Sequence, residues 1–216
     1  MQDYMELRKE VHAYALKMYR AGMVTGSSGN VSARVPGEDN RYLVTATSIS
    51  YDELVPEQIV VVDGEGDLVL GENAPSFETP IHLAVYKARP DVGAIFHTHA
   101  VYSSVLAVVR RPIPPIIEEL VPYAGGEVIV AEYGQSGTDA LARNVVAALT
   151  GRSAILIANH GNLCAGKNLR KAFNLCALVE RAAQIYVEAL KLGQVHLLPE
   201  EVIQAEREMY EVVKEL

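Results

Sequence analysis

Cationic side chains are scarce in this 216-residue chain. Lys and Arg number 19 against 27 Asp and Glu, for a formal net charge of −8 at pH 7. Duplex nucleic acid needs a basic face, so this balance excludes it as an expected partner. An anionic membrane surface is excluded on the same ground. Only two cysteines are present. That is too few for a disulfide framework, so a reducing compartment, the cytoplasm, is expected. The longest apolar runs are a handful of residues, whereas about 18 are needed to span a bilayer. The opening segment, Met1 to Glu10, mixes charge signs around no apolar centre and is not expected to be a signal peptide. There is no Walker A pattern and no Gly-x-Gly-x-x-Gly after a strand. No repeat, low-complexity block or long linker interrupts the chain.

Half of the residues are apolar and 21 % are charged, which suits a folded chain with a full core. Residues 1–216 read as a single domain. If such an acidic chain handles an anion, the positive potential must be local.

Apolar residues at helical spacing predict an amphipathic helix over Tyr4 to Ala21, followed by the turn-rich run Thr25-Gly26-Ser27-Ser28-Gly29-Asn30. Strands are expected at Val31 to Val35, Tyr42 to Thr45, Ile59 to Asp63 and Asp67 to Leu70. A helix from about Phe77 to Ala88 stops before Pro90. Strand Gly93 to Thr98, a short helix from Val101, strand Val128 to Ala131 and a helix over Gly137 to Leu149 follow. Ala154 to Ala158 is continuously apolar and reads as a buried strand, with Leu163 to Ala165 as a candidate neighbour. The last helices run from about Asn168 to Leu192 and from about Glu200 to Lys214. The longer one is apolar on two sides, so it is either central in the core or shared with another subunit. Helices on both sides of the strands predict an α/β chain built as a three-layer α/β/α sandwich.

Six histidines are present. His97-Thr98-His99 closes an apolar strand, and residues i and i+2 share a face about 6–7 Å apart. His160 ends the second buried strand and is followed by Gly161. If those strands are neighbours, three imidazoles gather at one sheet edge. Three protein nitrogens with an open position is the catalytic zinc arrangement. A lone His-x-His reads equally well as polar strand-end residues. Glu78, at the start of a helix, can ligate a metal, act as a base or cap the helix. His82, one turn on, completes a metal half-site with Glu78 or is simply a buried structural histidine. His12 and His196 are left as structural or surface residues. The runs Gly26-Ser-Ser-Gly29-Asn30 and Thr45-Ala-Thr47-Ser48 offer short hydroxyls and backbone N–H groups. They suit either a phosphate nest or ordinary turns.

Taken in order, Gly29-Asn30-Val31-Ser32-Ala33-Arg34, Thr45-Ala-Thr47-Ser48, Pro75-Ser76-Phe77-Glu78, Arg89-Pro90-Asp91, His97-Thr98-His99-Ala100, Gly125-Gly126 and Asn159-His160-Gly161 resemble one family. It is the class II aldolases of the L-fuculose-phosphate type, with their ribulose-phosphate 4-epimerase relatives. The likeness spans about residues 5 to 192. It implies a mostly antiparallel central sheet and zinc on His97, His99 and His160. Manganese or cobalt would suit the same donors. Glu78 is implied as a further ligand that becomes the acid/base. Gly29, Asn30, Thr47, Ser48 and Ser76 fall where the family holds the substrate phosphate. Backbone N–H groups near Gly29, Thr47 and Ser76, with one divalent cation, would then make the site positive without lysines. A cyclic homotetramer with sites at subunit interfaces is also implied.

The chain departs from the family pattern at Phe77, where a second phosphate-binding Ser is usual, and at Ser48, where a Gly is usual. Glu118 or Glu119 stands near the family's proton-donating Tyr, which faces the neighbouring subunit's site; either another Tyr, such as Tyr210 in the last helix, takes over, or the substrate differs. Glu78 favours an aldolase over the epimerases, which carry Asp there. The expected reaction is cleavage of a ketose 1-phosphate to dihydroxyacetone phosphate and an aldehyde through a zinc-bound enediolate. A same-scaffold epimerase or decarboxylase and a non-catalytic metal-binding protein are the alternatives.

Overall fold

The computed structural model describes residues 4–215. Helix α1 (Met5–Arg20) buries Val11, Ala15 and Met18 along one stripe, as its spacing predicts. Eight strands of the described residues form one sheet: β1 (Asn30–Arg34), β2 (Tyr42–Thr45), β3 (Ile59–Val62), β4 (Leu68–Leu70), β5 (Ala94–Thr98), β6 (Val130–Ala131), β7 (Ala154–Ile157) and β8 (Gly161–Gly166). Their order is β4-β3-β2-β1-β5-β8-β7-β6. Every pairing is antiparallel except β6 with β7.

Strand residues alternate between two apolar clusters, as period-two geometry requires. Leu43, Val61, Phe96 and Leu156 belong to one. Val44, Val60, Ile95 and Ile155 belong to the other. Buried residues of α1, α3 (Val101–Val108), α4 (Leu120–Ala124) and α6 (Leu169–Leu192) join the first cluster. Buried residues of α2 (Thr79–Ala88) and α5 (Asp139–Ala148) join the second. Helix α7 (Glu200–Glu215) packs on α4. No helix of the described residues is long and apolar enough to cross a membrane.

Three points differ from expectation. Helix α4 was not foreseen: it has five residues, includes Pro122, and stops where Gly125 turns left-handed at φ 88. A segment that short shows no periodicity. Helix α2 starts at Thr79 rather than Phe77, with Pro80 in its first turn, where proline's missing N–H costs nothing. Strands β5 and β7 are not neighbours, because β8 lies between them. The long helix α6 buries Leu169 through Ala183 on its inner stripe. Its far end leaves Ile185 and Leu192 exposed.

Candidate metal centre

His97 lies on β5 and pairs across the ladder with Leu163 of β8. His160 occupies the turn joining β7 to β8, after Asn159 at φ 55, a conformation Asn tolerates better than most residues. This turn brings His160 to the end of β5 although β7 itself does not touch β5. Gly161 is needed there: a Cβ would sit 2.1 Å from the Thr98 carbonyl oxygen. His99 follows the end of β5, and its N–H donates to the Met23 carbonyl at 3.1 Å.

The three imidazoles converge. His97 Nε2 is 3.0 Å from His99 Nε2 and 3.2 Å from His160 Nε2. Glu78 completes the group, with Oε2 3.1 Å from His97 Nε2 and Oε1 3.2 Å from His160 Nε2. All four donor atoms lie within 4.8 Å of one another. Glu78 is the N-cap of α2, yet its side chain makes no capping bond. Its oxygens are instead engaged from two directions. Asn30 Nδ2 donates to Oε2 at 2.9 Å, and Ser136 Oγ donates to Oε1 at 3.0 Å.

The hydrogen bonding defines what this group can accept. His97 Nδ1 donates to the Asn162 carbonyl at 2.8 Å, and a carbonyl can only accept. In a neutral His97 ring the Nε2 lone pair therefore faces the Nε2 atoms of His99 and His160 and the Glu78 carboxylate. Three imidazole nitrogens and a carboxylate at this spacing are a donor set that suits a cation. Tetrahedral ligands about 2.0–2.1 Å from zinc lie roughly 3.3 Å apart, close to the separations found here. The residues fit a divalent ion.

The charges of the centre act on one another. Burial raises the Glu78 carboxyl, but the charge on His97 and the bond to it outweigh burial and hold it well below the usual range. Burial lowers His97, while Glu78 more than offsets this and raises it. His99 and His160 are each pushed down to about 4, by burial first and the charge on His97 second. His99 and His160 are thus held neutral, the ligand form, whereas Glu78 favours the charged form of His97.

The residues matched to the phosphate region stand beside this centre. Gly29, at φ 69, leaves no room for a Cβ, which would lie 2.6 Å from the His97 carbonyl oxygen. Asn30 holds Glu78. The chain before α2 crosses the end of β2 through an Ala46–Pro75 bridge, which sets Ser76 beside Thr45 and Thr47. The Thr47 N–H donates to Ala74 and the Ser76 N–H to Thr45. Those two amides are engaged by the backbone, and the hydroxyls of Thr47, Ser48 and Ser76 stand beside them. Ser48 adopts φ 60, a conformation that favours glycine. Phe77 is 73 % exposed, and its ring lies against Gly137 in the loop that carries Ser136.

Within one chain Tyr210 stands apart from this centre. Its hydroxyl is buried in a 2.8 Å hydrogen bond with Ser153 Oγ. Ser153 precedes β7 and His160 follows it, so the strand separates them by roughly 15 Å. Glu118 and Glu119 are exposed, and Glu119 pairs with Arg181 at 2.9 Å. His12 bonds the Leu54 carbonyl at 2.7 Å, and His196 is exposed. His82 is fully buried, with a 2.6 Å hydrogen bond between Nδ1 and Ser32 Oγ. It is not among the four clustered donors. Sequence reading missed Ser136, which sits in an ordinary Gly-rich loop with no distinguishing pattern.

Comparison with known proteins agrees with this geometry. The profile of the Class II Aldolase and Adducin N-terminal domain family matches residues 9–187. The chain is 34 % identical over 194 residues to a 5-deoxy-D-ribulose 1-phosphate aldolase of Bacillus thuringiensis serovar kurstaki, covering 90 % of each. It is 36 % identical over 187 residues to an L-fuculose phosphate aldolase of Escherichia coli O6:H1, covering 87 % of this chain and 85 % of that one. A solved L-fuculose 1-phosphate aldolase superposes with a TM-score of 0.90 at 36 % identity, covering 95 % of this chain and 96 % of that one.

Proposed function

The chain belongs to the class II aldolase and adducin N-terminal domain family and is a lyase of the aldolase type, and from that premise we propose that it cleaves a ketose 1-phosphate to dihydroxyacetone phosphate and an aldehyde. The observation that carries this reading is the convergence of three imidazole nitrogens on a carboxylate held by donors from two sides. His97, His99 and His160, with Glu78, would hold one divalent ion, zinc in our reading. When bound, the metal supplies Lewis-acid polarisation of the substrate carbonyl and stabilises negative charge as the carbon–carbon bond breaks, worth several kcal/mol.

The remaining work falls to the chain. Glu78 is the acid/base: it protonates the carbon left electron-rich by cleavage and removes that proton in the condensation direction. Its carboxylate starts well below the usual range because of His97. Loss of that partnership, with burial retained, raises its proton affinity toward a working value. Asn30 and Ser136 hold the carboxylate meanwhile, so proton transfer needs no large search. Gly29, Asn30, Thr47, Ser48 and Ser76 would take the phosphate, with the hydroxyls of Thr47, Ser48 and Ser76 donating. Phe77 removes one hydroxyl from that region and adds an exposed aromatic wall.

We read the whole chain as one domain, an α/β/α sandwich of three layers, and expect a cytoplasmic homotetramer. The exposed stripe Val101, Val105, Val108 and Val109 along and just beyond α3 supports burial against another copy. The test is a screen of ketose 1-phosphates and acidic sugar phosphates with metal analysis on the same preparation. Release of an aldehyde with dihydroxyacetone phosphate supports the proposal. An epimer or CO2 as the sole product overturns it.

A further inference from the structure

We propose that Glu180 is a positioning residue for the metal centre, acting through Ser103 and Asn162 on the segment that carries His97 and His99. This inference rests on the reading of the four-residue cluster as a metal site.

Glu180 sits on the inner stripe of α6, one turn from Cys176 and Ala183, which are both buried. A carboxylate on an apolar stripe is costly unless hydrogen-bonded, and this one is. Oε1 accepts the N–H of Tyr102 at 2.8 Å. Oε2 accepts the N–H of Ser103 at 2.9 Å and the Ser103 hydroxyl at 2.7 Å. These are first-turn groups of α3, which no residue of α3 itself can satisfy. The Ala100 N-cap supplies no side chain for them. Glu180 therefore anchors the start of α3 from a different helix, 77 and 78 residues away.

The connection continues into the sheet. Asn162 Nδ2 donates to Ser103 Oγ at 3.0 Å, and Thr98 Oγ1 donates to Asn162 Oδ1 at 2.9 Å. The carbonyl of the same Asn162 accepts from His97 Nδ1 at 2.8 Å. His97, Thr98, Ser103 and Asn162 are all fully buried. His99 is therefore bracketed: Thr98 is tied to Asn162 on one side, and the start of α3 is tied to Glu180 on the other. The same network fixes which nitrogen of His97 faces the centre. Groups that orient metal ligands in this way typically change metal affinity 10–100-fold when removed.

The experiment compares the intact chain with Glu180→Ala, Glu180→Gln and Ser103→Ala. Zinc dissociation constants come from competition with a chromophoric chelator, and ligand geometry from the visible spectrum of the cobalt-loaded protein. Thermal melting of the metal-free proteins is recorded alongside. Glu180→Ala is expected to weaken zinc binding about 10–100-fold and to alter the cobalt bands. Ser103→Ala should move both in the same direction by less. Glu180→Gln, which keeps one acceptor oxygen, should recover part of the affinity. Unchanged affinity and cobalt spectrum in folded Glu180→Ala, with only a lower melting temperature, would overturn the inference. If that variant does not fold, unchanged zinc affinity in Ser103→Ala overturns it instead. An intact chain that takes up no divalent ion overturns the reading of the site itself, and this inference with it.

Discussion

Asn30 and Glu78 meet across 48 residues of sequence, the Asn30 amide donating to Oε2 at 2.9 Å. Asn30 also stands opposite His97 in the β1–β5 register. One strand position thus touches the carboxylate and pairs with a candidate metal ligand. The side chain is buried, and its own Oδ1 has no hydrogen-bond partner. Glu78 is held where a helix cap would normally turn back on its own backbone.

Glu78→Gln keeps the shape of this arrangement and removes the exchangeable proton. Turnover is expected to fall by about 10²–10⁴-fold. The three histidines should retain metal, with weaker affinity. Steady-state rates and metal content on one preparation check this, and near-full turnover with metal bound would remove Glu78 as the acid/base.

Ser136→Ala tests the second donor on that carboxylate. Ser136 is exposed, so stability should change by no more than about 0.5 kcal/mol. A lost hydrogen bond to a charged group should lower kcat about tenfold. Equal kcat values in the two proteins would show that the contact does not matter to the reaction.

Removing the metal with a chelator should abolish activity and lower the melting temperature. An ion present at a thousand times its Kd contributes about 4 kcal/mol to the folded state. Adding back zinc, manganese or cobalt then ranks the ions by recovered rate. A chelated, metal-free protein that is still active would end the metal reading.

Gly161→Ala should damage the site through the backbone. The new Cβ would meet the Thr98 carbonyl oxygen at 2.1 Å, forcing the β7–β8 turn away from β5 and His160 with it. A loss of about 1–3 kcal/mol is expected from such overpacking, along with reduced metal content. Denaturant titration and metal analysis read the two effects, and wild-type values for both would refute the steric argument.

His82 should make stability depend on pH. Burial pushes its pKa down to about 3 from an ordinary value of 6.5. The folded chain therefore holds His82 neutral where the unfolded chain takes up a proton. The contribution is fully present above about pH 6.5 and is lost as pH falls toward 3, at up to about 1.4 kcal/mol per pH unit. His82→Asn can keep a bond to Ser32 and does not titrate. The variant's stability curve should be flatter across that window by as much as one proton, and parallel curves would contradict the assignment.

Much of the centre was legible in the sequence because its signals are local. His97-x-His99 at the end of an apolar strand, His160 before Gly161, and Glu78 after Pro75-Ser76 are short patterns in which residue type alone indicates the chemistry. Strand and helix periods were legible too, since burial alternates every two residues in a strand and every three to four in a helix. Helix α4 was not, being too short to show a period. The ordered motifs also carried the family.

Only the tertiary structure decided the rest. It inserted β8 between β5 and β7, so that a turn rather than a neighbouring strand delivers His160. It put Tyr210 at the far end of β7. It set Ser136 on Glu78 and Glu180 on the helix that follows His99. These residues have no distinguishing neighbours in sequence. Their roles depend on hydrogen bonds between positions 57 to 78 apart, and such bonds are set by the path along which the chain returns. Local spacing selects the donor atoms, whereas the packing of distant segments selects which of them meet.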